Sequence, residues 1–303
     1  MAKAQAQRIA QEHGGQRDRG QEVRQRLLAD LPVTERRLLL AGISTAVLEG
    51  GDGPPVVLLH GPMANAAHWM GILPGLVATH RVIVPDLPGH GASEMSGDGR
   101  IDSGCILKWL DELIEQSCKT SPALVGQLLG GAIAARYASE HSHRLLRLVL
   151  VNTFGLRPFE AAPEFRLALS NFLAQPAERT HTDLWRHCAF DLEALRQRMG
   201  ERWQPFEAYN LDRARTPSVQ AAVATLMEHF GGPAIPAGDL ARIAVPTILI
   251  WGRHDRATPL AVAEEASARF GWPLHVIESC NDDPPVEQPD ALLRTLRVAL
   301  DGA

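Results

Sequence analysis

A chain of 303 residues is long enough to bury a large core, and about two domains are expected at this length. An apolar fraction of 45% and a charged fraction of 21% belong to a globular protein, while a formal net charge of −5 gives no general pull toward nucleic acid or an anionic membrane. The four cysteines, Cys105, Cys118, Cys188 and Cys280, have neither metal-ligand spacing nor the density of a disulfide framework.

Residues 1–32 are rich in Gln, Arg and Glu and read as an N-terminal arm. "GQEVRQRLLADLP" has the spacing of one short amphipathic helix, and the rest of the arm reads as a solvated tail or a partner contact. The opening "MAKAQAQRIAQEHGG" has no apolar signal region, and no stretch reaches the ~20 apolar residues of a membrane helix, so the cytoplasm is the expected location. From Glu35 the texture changes. "RRLLLAGISTAVLEGG" predicts a pair of strands, "PPVVLLHG" a buried strand ending in a loop, and "RVIVPDLPGHG" another. "IDSGCILKWLDELIEQSC" has helical spacing. A strand at Ala123–Val125 leads into a helix over Ala132–Ala138, followed by a strand at Leu146–Val151.

Between Phe154 and Leu240 the pattern is helical, without a convincing strand, and Pro163, Pro176, Pro205, Pro217 and Pro233 punctuate it. This predicts a helical cap over residues 156–240, inserted into a core of residues 33–155 and 241–303. Of its aromatics (Phe165, Phe172, Trp185, Phe190, Trp203, Phe206, Tyr209), a minority is expected to face a ligand and the rest to form the cap's own core. A strand at Pro246–Trp251, a helix at Pro259–Phe270, a strand at Leu274–Ile277 and a helix around Glu287–Leu300 close the chain. Short apolar runs alternating with helices predict an α/β fold, a mostly parallel sheet flanked by helices, with ligands at the carboxyl ends of its strands.

Five ordered landmarks carry a resemblance: "VVLLHGP" (Val56–Pro62), "VIVPDLPGHGAS" (Val82–Ser93), "LVGQLLGG", "TILIWGRHDRATP" (Thr247–Pro259) and "DDPPVEQP" (Asp282–Pro289). From Leu38 to Leu300 the chain resembles the capped α/β-hydrolase superfamily of esterases, lactonases, haloperoxidases and hydrolases of ring-cleavage products. The resemblance implies the α/β-hydrolase fold and a Ser-His-Asp triad, and the second implication fails residue by residue. The nucleophile position of the G-x-S-x-G turn falls on Leu128, whose side chain has no proton to lose and no lone pair to attack with. The base position, set by the register of Pro284, Glu287 and Pro289, falls on Asp282, or on Asp283 with a slip of one residue. His275 lies inside the last strand and does not replace it. The acid position is kept as Asp255, beside His254. Of the two oxyanion-hole donors, Leu129 still offers its backbone N–H, but the second falls on Pro62, which has none. One such donor is worth about 3 kcal/mol of transition-state stabilisation.

Asp255 and Asp282 inherit the places of acid and base, so they are expected to lie close together, with one of them protonated near neutrality. Such a pair suits proton transfer without a covalent intermediate: cyclisation, dehydration, isomerisation or epoxide opening. Gln127 and the Leu129 N–H are expected to orient a carbonyl, with Gly61, Pro62, Met63 and Leu128 forming the pocket floor. His60 and His90 read as structural loop residues, and Cys280 as a remote candidate for a displaced nucleophile. The expected ligand is therefore a small, mostly apolar molecule held between core and cap. No cofactor and no metal are implied, and neither nucleic acid nor membrane is an expected partner. A homo-oligomer is compatible with the sequence. Three functions stay open at this point: non-hydrolytic acid/base catalysis, small-molecule binding or sensing without chemistry, and hydrolysis with a displaced nucleophile.

Overall fold

The computed structural model describes residues 20–95 and 102–301. Residues 20–28 form helix α1, as the amphipathic spacing predicts. They are not a solvated tail: Leu27 and Leu31 are buried in the core cluster on one sheet face. Arg24 forms ion pairs of 2.8 Å with Glu35 and with the fully buried Asp86. A buried guanidinium needs such partners to offset its desolvation, and here they anchor α1 to the loop of "VPDLPGHG". The remainder of the arm, residues 1–19, lies outside the described residues.

Strands β1 (Thr34–Leu40) and β2 (Ile43–Gly50) form the predicted antiparallel pair, turning at Ala41–Gly42 with both residues at positive φ. Next come β3 (Pro55–Leu59), the short helix α2 (Leu73–Val77), β4 (Arg81–Pro85) and α3 (Ser103–Ser117). Helix α2 has no counterpart in the sequence reading, because a single turn around Pro74 carries no periodic signal. At the start of α3, Asp102 caps the helix by accepting from the Cys105 N–H. Strand β5 (Ala123–Gln127) then leads through one residue into α4 (Leu129–His141), followed by β6 (Arg147–Val151).

Six helices come between β6 and β7: α5 (Pro163–Ala174), α6 (Glu178–Cys188), α7 (Leu192–Met199), α8 (Trp203–Ala214), α9 (Pro217–Leu226) and α10 (Ala237–Leu240). Then β7 (Thr247–Gly252), α11 (Leu260–Phe270) and β8 (Leu274–Ile277) follow, and α12 (Pro284–Glu287) and α13 (Pro289–Asp301) end the fold. The single closing helix read from the sequence is thus two, separated at Gln288 ahead of Pro289, as expected of a residue preceding proline.

The eight strands make one sheet in the order β1-β2-β4-β3-β5-β6-β7-β8, antiparallel at β1, β2 and β4 and parallel from there on. Its parallel strands are apolar on both faces. Val57, Leu59, Leu124, Leu148, Leu150, Leu249 and Trp251 face one core cluster, and Val56, Leu58, Val125, Val149, Val151, Ile248 and Ile250 face the other. That is the period-two signature of a sheet covered on both sides. Strand order reverses between β3 and β5, so the loops after these strands flank the crevice where ligands bind in open α/β sheets.

Candidate active site

The turn after β5 is built by glycine packing. A Cβ on Gly126 would run into Gly130 O and the Gly131 Cα, and one on Gly130 would run into the carbonyls of Leu59 and His60. This close approach forces a sharp reversal, and Leu128 sits at its tip with φ +47° and ψ −111°. Such a conformation costs a non-glycine residue on the order of 1–3 kcal/mol and persists only when its neighbours over-determine it. They do so here: Leu128 N–H donates to Val151 O, Gly130 N–H to His60 O, and Leu128 O accepts from the N–H groups of Ala132 and Phe154. The geometry of a nucleophile elbow is intact around a hydrocarbon. The Leu129 N–H opens α4, where no intrahelical acceptor exists, and Pro62 has no N–H to pair with it.

His60 is structural, as expected. Its ring bridges Gly61 O and the Leu87 N–H from a fully buried position, and burial keeps it neutral. His90 is held in the same loop by Pro88 O.

The acid corner lies at the ends of β7 and β8. Asp255 accepts four hydrogen bonds: from the Ala257 and Thr258 N–H groups at Oδ1, and from Thr258 Oγ1 and Asn152 Nδ2 at Oδ2. Burial raises its carboxyl to about 6, while those donors pull the other way. Glu287 is similarly satisfied, accepting from the N–H groups of Asn281, Asp283 and Phe190. Asp282 differs. Its Oδ1 is buried without a hydrogen-bond partner, and burial, followed by the charges of Asp255, Asp283 and Glu287, pushes its carboxyl well above the usual range. Burial also lifts Asp283 to about 7, with Glu287 adding to the effect. The four-donor shell stabilises charge on Asp255, so the proton of the pair belongs on Asp282. The coupling between the two carboxyls is electrostatic, the charge of Asp255 raising Asp282.

A cavity of about 170 Å³ opens above the Leu128 turn. Gly61, Pro62, Met63, Gln127, Leu128 and Asp282 line it from the sheet side, together with Asp283, whereas Asp255 does not. Asp255 therefore stands behind the cavity wall, fixed by its four donors. Gln127 also differs from its expected role. Its amide nitrogen donates to Asp282 O and Asp283 Oδ1, leaving only its buried, unpartnered Oε1. It can accept a hydrogen bond from a ligand but has no free N–H to orient a carbonyl.

From the inserted helices, Phe165, Phe172 and Trp185 line the cavity. Phe190 instead packs beside His254, and Phe206 and Tyr209 lie with Trp185 in a cluster continuous with the core on one sheet face. The cap's aromatics thus join the main core more than they form a separate one.

Sequence reasoning missed four polar residues of this wall: His68, His181, Cys188 and Asn210. Three belong to helices of the insertion, and nothing in their spacing marks them. Burial and the nearby carboxylates of Asp282, Asp283 and Glu287 hold the Cys188 thiol protonated, and Cys280 is buried against Glu287 and likewise raised. Neither thiol is activated for attack. Among the described residues no serine, threonine or tyrosine lines the cavity, and no group of three or more His, Cys, Asp or Glu is arranged to hold a metal ion. No described helix is long and apolar enough to cross a membrane.

Residues 54–281 match a family model described as the alpha/beta hydrolase fold. The chain is 34% identical over 230 residues to the magnesium-chelatase 30 kDa subunit of Rhodobacter capsulatus, covering 72% of this chain and 76% of that one. It is 27% identical over 264 residues to the 2-hydroxy-6-oxo-6-phenylhexa-2,4-dienoate hydrolase of Comamonas testosteroni, covering 81% and 87%. Among solved structures, the hydrolase of that substrate from Rhodococcus sp. strain RHA1 superposes with a TM-score of 0.76 at 25% identity, over 89% of this chain and 99% of the other. The chain belongs to the α/β hydrolase fold family.

Proposed function

We propose that this member of the α/β hydrolase fold family encloses a small, neutral, mostly apolar molecule between sheet and cap and acts on it by proton transfer, without an acyl-enzyme. One observation carries the reading: the residue at the strained tip is Leu128, while the cavity beside it holds the carboxyl of Asp282, whose buried Oδ1 has no partner. A carboxylic acid kept neutral by burial is a hydrogen-bond donor and general acid. Asp255, saturated by four donors, holds the compensating charge behind it. A space of about 170 Å³ suits a guest near the size of benzene, which a dry cavity of about 150 Å³ accommodates. The cytoplasm is the proposed location and a small molecule the proposed partner; a net charge of −5 gives no pull toward nucleic acid or an anionic membrane.

Two measurements test this. A fluorophosphonate probe followed by peptide mass mapping is expected to label no residue of the cavity; a labelled serine would restore hydrolysis with a displaced nucleophile. Native mass spectrometry with small neutral ketones and aromatic hydrocarbons is expected to show one bound guest, lost in Leu169→Trp, which fills the chamber.

A second reading, binding without chemistry, is favoured by the Rhodobacter capsulatus relative, whose name is that of a chelatase subunit and not of a hydrolase. Asp282→Asn separates the two: turnover lost with affinity retained supports catalysis, and a native protein that binds without converting anything supports binding.

A further inference from the structure

On the sheet side of the cavity Asp282 is the acid, Asp255 is saturated behind the wall, and Asp283 is engaged by the Gln127 amide. The cap supplies an imidazole. His181 on α6 is fully buried, with ring centroids of Phe172, Trp185 and Trp203 at 5.7, 5.9 and 5.8 Å, and it lines the cavity. Its Nδ1 lies 3.1 Å from Glu207 Oε1 on α8. A carboxylate at Nδ1 fixes the tautomer with the proton on that nitrogen and leaves the Nε2 lone pair free to accept. The Nε2 partner agrees: Asn210 Nδ2, also on the cavity wall, donates to it at 3.3 Å, a long bond that the substrate displaces before Nε2 acts as a base.

The second imidazole of the wall, His68, lacks this support. Its Nδ1 accepts from the Asn65 N–H, no carboxylate faces it, and burial lowers it to about 3.

We propose that His181, positioned by Glu207, is the general base of the site, working across the cavity from Asp282, and that the substrate is a small neutral ketone, or related carbonyl compound, with a C–H bond beside the carbonyl. This inference rests on the reading of the cavity given above. In a chamber of about 170 Å³, a guest large enough to fill it touches both walls. His181 Nε2 takes the proton from the α-carbon, and the C–H electron pair becomes the C=C bond. The carbonyl π pair takes the Asp282 proton, giving the enol. The proton on His181 then returns to the α-carbon, or to the γ-carbon of an unsaturated ketone, while the enol O–H proton goes back to the Asp282 carboxylate. Both residues are restored, the product is the starting ketone or its double-bond isomer, and no oxidant, reductant or water is consumed. Gln127 Oε1, an unpaired acceptor, suits a substrate that also carries a hydroxyl.

The test uses cyclohexanone with the full chain in deuterium oxide, following loss of its α-proton signal by NMR and its binding by saturation transfer. The native protein is expected to accelerate deuteration. His181→Gln and Asp282→Asn should each reduce the protein-dependent rate at least about 100-fold while cyclohexanone still binds. Glu207→Gln should leave binding unchanged, slow exchange about 10-fold, and broaden the ring ¹⁵N signals of His181 into a tautomer mixture, which a purely structural role would not do. If His181→Gln does not fold, ¹⁵N spectra of the native protein decide: the inference requires a single Nδ1–H tautomer and an Nε2 shift on adding cyclohexanone, and an unmoved Nε2 overturns it. Exchange that survives in His181→Gln but not in Asp282→Asn removes His181 as base and leaves the proposed function standing. Binding without exchange in the native protein overturns the base and favours the binder. No binding at all overturns the reading of the chamber, and this inference with it.

Discussion

At the end of β5 a leucine sits in a backbone shape fixed by its surroundings; at the ends of β7 and β8 two aspartates of one cluster differ in where the proton lies. Leu128 keeps the conformation of an elbow because glycines on either side and four backbone hydrogen bonds impose it, whatever side chain it carries. In the acid corner the outcome depends on how donors are shared. Asp255 accepts four, whereas Asp282 Oδ1 is buried without a partner, so two aspartates in one cluster differ in charge. Geometry at the first region is set by packing, and chemistry at the second by solvation and hydrogen bonding.

The strongest way to break this comparison is at Gly130. If packing imposes the elbow, Gly130→Ala drives a methyl group into two backbone carbonyls and should cost about 3–5 kcal/mol in denaturant unfolding. A change below about 1 kcal/mol would mean that the turn is held by something else.

Next is the corner. Asp283 stands at about 7 in the fold, above its ordinary value, so the folded state binds a proton that the unfolded chain has already lost between roughly pH 4 and 7. Its stabilising contribution is complete below the unfolded value and disappears as pH rises through 7. Asp283→Asn should therefore be more stable than the native protein at pH 8, by up to about 4 kcal/mol, with the gain vanishing toward pH 4. Thermal melts across this range check it, and a gain that grows as pH falls would refute the assignment of the burial effect.

Leu128→Ala comes third. The side chain borders an existing cavity and does not set the backbone, so its loss should sit at the low end for a buried leucine, about 2 kcal/mol by chemical denaturation. The smallest effect sharpens the comparison most. Leu128→Ser combined with Asp282→His restores two side chains but not the N–H missing at Pro62. Hydrolysis of p-nitrophenyl acetate is expected to remain at least about 100-fold below the level a complete oxyanion hole supports. Robust activity in that double variant would show that one donor suffices here.

Much of this was legible in the chain itself. Periodicity and turn residues located all eight strands, with β8 matching residue for residue and β5 running two residues further than read, and they located the helical insertion between Phe154 and Leu240. That Leu128 carries no hydroxyl, Asp282 no imidazole and Pro62 no N–H are matters of residue identity, so they needed no coordinates. Helix α1 was visible as a pattern, but not its docking through Arg24, because an ion pair to Asp86 is invisible to spacing.

The tertiary structure alone decided what the polar residues can do. Asn152 reaches Asp255 across 103 positions of chain, Gln127 reaches Asp283 across 156, and His181 meets Glu207 from a separate helix. The sequence by itself determined the fold and which side chains stand at positions 62, 128 and 282, since hydrophobic periodicity and side-chain identity are local properties. Which carboxyl carries a proton, and which imidazole faces the cavity, depend on desolvation and on partners that only folding brings within hydrogen-bond reach.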